Sequence, residues 1–289
     1  MASRRHYRFA LFGHPAGHSL SPVMHAASFR ALGIDAEYLC FDVAPEALAD
    51  RLAACRDEGF DGLNLTVPHK AAAVALMDRL DASARLYGAV NTVHIGDDGL
   101  TGFNTDAAGF LEDLAVNFHR SPDGQRMLVL GCGGAGRALA IACARHGAAE
   151  VMLANRTVSK AERVASEIAE LLPDSTGRIR VLDPAPAAWI AAGRDADLII
   201  QCTTAGLGAA DESLLPSAAF RPGQFLYDIV YTRRITPTMQ AALAAGADAA
   251  NGAGMLVYQG AAAFREWTGL VADAVAMRAA LEARIYGAE

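Results

Sequence analysis

Gly131-Cys132-Gly133-Gly134-Ala135-Gly136 stands between an apolar run, Met127-Leu128-Val129-Leu130, and a segment of helical period over 137–146. Glycines in that position allow strand, tight turn and helix to follow one another directly, because the backbone can approach closely where no side chain intervenes. This unit belongs to parallel α/β architecture, and the rest of the chain repeats its alternation. Apolar stretches of strand length occupy 8–12, 36–41 and 62–66, with helices predicted over 22–32 and 45–58. Pro22 and Pro45 suit a first helical turn, where a missing N–H costs nothing. Strands at 92–95 and 100–103 flank Asp97-Asp98-Gly99, a hairpin signal that predicts an antiparallel edge closing a first sheet. After a helix over 106–118, the turn cluster Ser121-Pro122-Asp123-Gly124 leads into a strand at 126–130. Further strands at 151–154, 179–182, 198–200 and 225–229, with helices between several of them, make a doubly wound sheet.

A chain of 289 residues exceeds what one core comfortably supports, so two domains sharing a cleft are expected. The boundaries read as 1–106 and 107–254, with the helical segment 255–289 packing back on the first domain. With 53% hydrophobic and 20% charged residues the chain can bury a substantial core. Its net charge of -7 disfavours nucleic acid as a partner, so any phosphate-binding group must be a local basic feature. Cys40, Cys55, Cys132, Cys143 and Cys202 are scattered and never spaced C-x-x-C, which predicts neither disulfides nor a metal site, but small buried hydrophobes. No apolar run is long enough for a secretory or membrane segment, and a cytoplasmic location is expected.

The glycine run offers close backbone approach and free N–H groups at a helix start, which suits a dinucleotide pyrophosphate. An NAD-binding strand should end about 20 residues on in Asp or Glu, to accept from the ribose 2′-OH. Here it ends in Asn155-Arg156-Thr157. A guanidinium pairs instead with a 2′-phosphate, and Lys160 adds charge one turn later, so NADP is preferred.

Three polar clusters fall at predicted strand ends of the first domain. Ser19 and Ser21 precede a helix and suit a carboxylate, although serine before proline is also an ordinary capping arrangement. Asn64 and Thr66 share a strand face, with Lys70 just beyond. Asn91, Thr92, Asn104, Thr105 and Asp106 add amides, hydroxyls and a carboxylate. Lys70 with Asp106 can form a coupled acid–base pair for a carbonyl, or equally a structural salt bridge.

The strings GHPAGHSLSPVMH, NLTVPHK, GAVNT, FNTDAAGF, GCGGAGR, NRT and GAGMLVYQGAAAFREWTG occur in that order along nearly the whole chain. Together they resemble the successive motifs of the shikimate dehydrogenase family. The resemblance implies an α/β protein whose N-terminal substrate domain has a mixed sheet and whose second domain is a Rossmann-type, doubly wound NADP-binding domain. It implies NADPH-dependent reduction of 3-dehydroshikimate to shikimate in the aromatic amino-acid (chorismate) pathway. By the same resemblance Ser19 and Ser21 hold the substrate carboxylate, Asn64, Thr66, Asn91 and Gln259 bind ring hydroxyls, and Lys70 and Asp106 are catalytic. Tyr231 would approach the carboxylate. NADP would lie on Gly131, Gly133, Gly134, Ala135, Gly136, Arg137, Asn155, Arg156, Thr157, Lys160 and Thr203, with Met255 beside the nicotinamide. His14, His18, His25 and His69 are expected to be partly buried structural residues, because the family logic uses lysine. A monomer or homodimer is expected, with no metal.

The chain departs from the family pattern in two places. Thr232-Arg233-Arg234 follows Tyr231 where Asn-Pro is usual, and Gln201 stands where asparagine is common. These changes bear on substrate choice more than on reaction type, and leave a quinate/shikimate or aminoshikimate dehydrogenase as alternatives. A catalytically idle NADP-binding sensor is the rival from another class; it should lack Lys70 or Asp106, and both are present.

Overall fold

The computed structural model describes residues 5–208 and 211–287. Residues 1–4 and 288–289, the extremities of the expected first domain, and 209–210 of the expected second lie outside the described residues. The chain divides into two compact units, 1–110 with 256–289, and 111–255.

The first unit runs β1 (Tyr7–Gly13), α1 (Ser21–Leu32), β2 (Ala36–Asp42), α2 (Leu48–Asp57), β3 (Gly62–Leu65), α3 (His69–Ala72), β4 (Arg79–Leu80), α4 (Ala82–Tyr87), β5 (Thr92–Gly96), β6 (Gly99–Phe103) and the start of α5 (Asp106–Phe118). Its sheet is mixed, in the order β2-β1-β3-β5-β6-β4. β1 lies parallel to β2 and β3, while β5 is antiparallel to both β3 and β6. The hairpin therefore exists, but it does not form the edge that the sequence pattern suggests. That place belongs to β4, which pairs parallel with β6 through Arg79↔Thr101 and Leu80↔Gly102. A strand this short has no periodicity to read. The helix expected over 45–58 is two elements, a 3-10 turn at Pro45–Ala47 and then α2.

Continuous apolar runs become central strands because both faces of the sheet are covered. On one face Ala10, Phe12, Leu48, Leu52, Leu63 and Val93 form a buried core. On the other, Phe9 and Phe29 pack with Phe264 and Trp267, the Phe9 and Trp267 rings stacking at 4.7 Å.

The second unit carries the rest of α5 and then β7 (Arg126–Leu130), α6 (Gly134–Arg145), β8 (Glu150–Ala154), α7 (Val158–Leu171), β9 (Ile179–Val181), α8 (Pro186–Asp195), β10 (Leu198–Gln201), β11 (Phe225–Asp228), α9 (Pro237–Ala244) and β12 (Asp248–Asn251). The six strands are parallel in the order β12-β11-β10-β7-β8-β9, the doubly wound Rossmann arrangement. β12 escaped sequence reading because Asp248-Ala249-Ala250-Asn251 has no β-branched or aromatic residue; pairing with β11 makes it a strand. The remaining helices are α10 (Ala253–Thr268), which crosses the division between units, and α11 (Ala274–Tyr286), which packs on α1. All five cysteines are free; of the five expected to be buried, Cys40 is exposed on β2 and Cys202 is half-buried.

Candidate active site

Lys70 comes from α3 and Asp106 opens α5, both just beyond strands of the mixed sheet. Lys70 Nζ donates to Asp106 Oδ2 at 2.7 Å, and Asn91 Nδ2 donates to the other carboxylate oxygen at 2.9 Å. The carboxylate is thus fixed at both oxygens, while the ammonium keeps two further donors. With side-chain exposures of 31% and 16%, the pair is open enough to meet a ligand. As a part-exposed ion pair it contributes little to stability.

Asn91 organises the surrounding polar cluster. Its Oδ1 accepts from the Thr105 N–H at 2.8 Å and from Thr92 Oγ1 at 3.0 Å, and its Nδ2 also reaches Thr105 Oγ1 at 2.9 Å. Gln259 Oε1 accepts from the same amide at 3.4 Å, and Gln259 Nε2 donates to the Leu256 carbonyl. Asn64, buried at the end of β3, donates from Nδ2 to the Asn91 carbonyl at 3.0 Å and to Thr92 Oγ1 at 3.1 Å. Thr66, expected on the same strand, lies one residue past its end, where its N–H still donates to the Phe12 carbonyl.

Ser21 is the first residue of α1 and is buried; the N-cap is Leu20, which has no side-chain cap. Ser19 Oγ accepts from the Ser21 N–H at 3.3 Å. Pro22, read as opening the helix, is its second residue. The N-cap position supplies no side-chain hydrogen bond to the helix start, the condition under which it favours an anion. The histidines divide: His25 and His69 are buried, whereas His14 and His18 are exposed, contrary to expectation. His14 pairs with Asp42 at 2.5 Å, and the His69 ring nitrogen Nε2 lies 2.8 Å from the Val43 carbonyl.

In the second unit the glycine run sits between β7 and α6, where β7 and β10 meet at the switch point of the sheet. Gly131 has φ +97°, and a Cβ there would meet Thr203 Cγ2 at 2.7 Å. A Cβ on Gly136 would collide with the Gly131 carbonyl oxygen, so these two glycines let the turn close on itself. Gly133 and Gly134 have nothing within 4 Å of the corresponding position. They leave an open main-chain cradle that fits a dinucleotide pyrophosphate. α6 begins at Gly134, earlier than the expected 137, so its first N–H groups come from the run itself.

Asn155 Oδ1 accepts from the Cys132 N–H at 3.0 Å and its Nδ2 donates to the Thr157 carbonyl at 2.8 Å, tying the turn to the end of β8. Arg156 and Lys160 are exposed and enter no ion pair among the described residues, whereas Arg137 pairs with Glu167. The Thr203 N–H donates to Gln201 Oε1 at 2.5 Å. Gln201 also donates to the buried Asp228 at 3.2 Å. Desolvation pushes Asp228 up to about 6, opposed by hydrogen bonds from Thr236, the Val230 N–H and Gln201. Burial raises the Tyr231 phenol. The Met255 N–H donates to Tyr227, whose hydroxyl donates to the buried Asp113 at 2.6 Å. Sequence reasoning passed over Asp228, Asp113 and Tyr227, since an isolated Asp or Tyr in an apolar strand or helix carries no spacing signal.

Among the described residues no group of His, Cys, Asp and Glu is arranged to hold a metal, and no helix is long and apolar enough to cross a membrane. A glycine turn open to a dinucleotide and a lysine–aspartate pair able to donate a proton are what a dinucleotide-dependent dehydrogenase needs at a carbonyl. The family model described as the shikimate dehydrogenase substrate binding domain matches residues 11–93. The models for shikimate/quinate 5-dehydrogenase and for the shikimate 5′-dehydrogenase C-terminal domain match 113–245 and 252–282. The chain is 41% identical to the shikimate dehydrogenase (NADP+) of Methanopyrus kandleri, over 94% of this chain and 93% of that one. It superimposes on the shikimate 5-dehydrogenase of Thermus thermophilus, solved with NADP(H) and shikimate, with a TM-score of 0.85 and 39% identity, covering 96% and 98% of the two chains. It is also similar to quinate dehydrogenase from Corynebacterium glutamicum, solved with NAD, with a TM-score of 0.88 and 29% identity over 96% and 99%. The chain belongs to the shikimate dehydrogenase family.

Proposed function

We propose that this chain catalyses the reversible, NADPH-dependent reduction of 3-dehydroshikimate to shikimate. The observation that carries the reading is the Lys70 ammonium held 2.7 Å from Asp106, whose carboxylate is anchored by Asn91. In this reading residues 1–106 with 255–289 form the substrate and catalytic domain, and 107–254 the NADP-binding domain. Ser19 and Ser21 take the carboxylate at the start of α1, and Asn64, Thr66, Asn91 and Gln259 face the ring hydroxyls, with Tyr231 completing the carboxylate side. NADP is held by Gly131, Gly133, Gly134, Ala135, Gly136, Arg137, Asn155, Arg156, Thr157, Lys160, Thr203 and Met255. Bound, it supplies the hydride.

Lys70 donates a hydrogen bond and then a proton to the oxygen on which negative charge develops, and accepts that proton in the reverse direction. Asp106 keeps the ammonium aimed, and Asn91 keeps Asp106 from rotating away. Arg156 and Lys160 offer uncommitted positive charge to a 2′-phosphate. In this reading the protein acts in the cytoplasm as a monomer or homodimer, the oligomeric state being a point for sedimentation analysis.

A second reading, quinate as substrate, draws on Thr232-Arg233-Arg234, where Arg233 donates to the Gly208 carbonyl at 2.5 Å and so shapes the loop after Tyr231. A steady-state panel of shikimate and quinate against NADP and NAD separates the readings. The proposal expects the highest kcat/KM for shikimate with NADP; preference for quinate would overturn the substrate, and preference for NAD the role of Arg156.

A further inference from the structure

Tyr38 on β2 lies outside every motif that points to the site, yet its hydroxyl bonds one of the residues proposed to hold the substrate. It donates to Asn64 Oδ1 at 2.7 Å. We infer that Tyr38 is a positioning residue for substrate recognition, fixing the Asn64 amide so that it meets a ring hydroxyl only as an acceptor.

The bond inventory of Asn64 requires this. A carboxamide has two N–H donors and one oxygen with two lone pairs. Both donors are engaged, on the Asn91 carbonyl at 3.0 Å and on Thr92 Oγ1 at 3.1 Å. One lone pair of Oδ1 takes the Tyr38 hydroxyl. The capacity left over is the second lone pair. Turning the amide over would set Oδ1 against the Asn91 carbonyl oxygen, an unpaired contact between acceptors in a buried place, and would remove the acceptor from Tyr38.

The phenol is itself held rigidly. Its ring stacks on His25 with centroids 4.6 Å apart and an interplanar angle of 8°, and Trp267 closes the group at 6.3 Å from Tyr38 and 5.4 Å from His25. His25 is fully buried and neither of its ring nitrogens has a hydrogen-bond partner among the described residues. Burial lowers it to about 3, so it stays neutral and serves as a flat plate behind the phenol. Burial also raises the Tyr38 phenol well above its ordinary value, which keeps it a donor throughout the working pH range.

This inference rests on Asn64 being a substrate ligand, and a double-mutant cycle tests the two ideas separately. Tyr38→Phe removes one hydroxyl and keeps the ring. It should raise KM for shikimate about 3- to 10-fold, the ordinary worth of one hydrogen bond, with kcat within about twofold and KM for NADP unchanged. In an Asn64→Ala background the same substitution should change KM for shikimate little, because the amide it orients is gone. An unchanged KM in Tyr38→Phe, or losses that simply multiply in the double variant, would overturn the positioning role. A normal KM in Asn64→Ala would instead remove Asn64 from the substrate site. Thermal melting within a few degrees of wild type certifies the fold. Should Tyr38→Phe not fold, His25→Leu, which keeps the phenol but takes away its plate, goes through the same cycle, and multiplicative losses there count equally against the proposal.

Discussion

At the end of β3, Asn64 has both amide hydrogens committed to Asn91 and Thr92, and Asn91 in turn holds Thr105 and Asp106, so the first unit's polar groups are hydrogen-bonded to one another before any ligand arrives. After β7 the arrangement is the reverse: Gly133 and Gly134 have nothing within 4 Å of where a Cβ would stand, and Arg156 and Lys160 stand exposed without an ion-pair partner among the described residues. One unit offers a pre-wired set of side chains, the other a shaped backbone with loose charges. A pre-wired set gains orientation at little reorganisation cost, so one deletion should be felt by its neighbours. An open backbone cradle should respond locally, position by position.

The largest expected effect tests the wiring. Lys70→Ala should lower kcat by about 100-fold or more with a modest change in KM, the usual size of an acid–base contribution. Asp106→Asn should lower kcat too, and the double variant should lose far less than the product of the single losses. Steady-state kinetics on the three variants decides, and multiplicative losses would break the contrast by making the first unit's residues independent.

Next comes the loose charge of the second unit. Arg156→Asp should weaken NADP by about 10- to 100-fold, the scale of one or two charge-assisted hydrogen bonds, while NAD changes little. Titration calorimetry with both dinucleotides reads this directly. Retained NADP affinity would reduce Arg156 to a surface charge.

The two kinds of glycine sharpen the contrast further. Gly136→Ala drives a Cβ into the Gly131 carbonyl and should destabilise the protein by about 1–3 kcal/mol as well as weaken NADP. Gly133→Ala enters open space, so it should melt at the wild-type temperature and lose only NADP affinity. If Gly133→Ala lowered the melting temperature without ligand, the cradle would be part of the packing and not a vacant surface.

A smaller effect, set by pH, separates the units through one buried group in each. His25 is lowered from 6.5 to about 3, so below pH 6.5 the unfolded chain binds a proton that the folded one refuses, and this group removes stability as pH falls through that window. Asp228 is raised from 3.8 to about 6, so between those values the folded chain holds the extra proton, and this group adds stability as pH falls. Chemical denaturation at about pH 6.5 and about pH 5.5 should show a loss of up to about 1.4 kcal/mol from His25 per pH unit, partly offset by Asp228. His25→Leu should flatten the decline and Asp228→Asn should steepen it; identical slopes in all three proteins would refute both assignments.

The amino-acid sequence alone determined the alternation of strands and helices, because period and turn chemistry are local properties. It also marked the glycine turn with its basic sequel, because backbone permission and charge type are written residue by residue. The serines, Asn64, Asn91, Lys70 and Asp106 were legible as an ordered set of motifs. Only the tertiary structure decided which donor meets which acceptor. Tyr38 and Asn64 are 26 residues apart and share no pattern, yet parallel β1 brings β2 and β3 to its two sides and sets the phenol on the amide. The two-residue β4 and the alanine-containing β12 likewise exist through their neighbours and not through any propensity of their own. His25 is neutral because Phe29, Tyr38 and Trp267 exclude water from it, and desolvation is a property of the packed surroundings that no single residue type can encode.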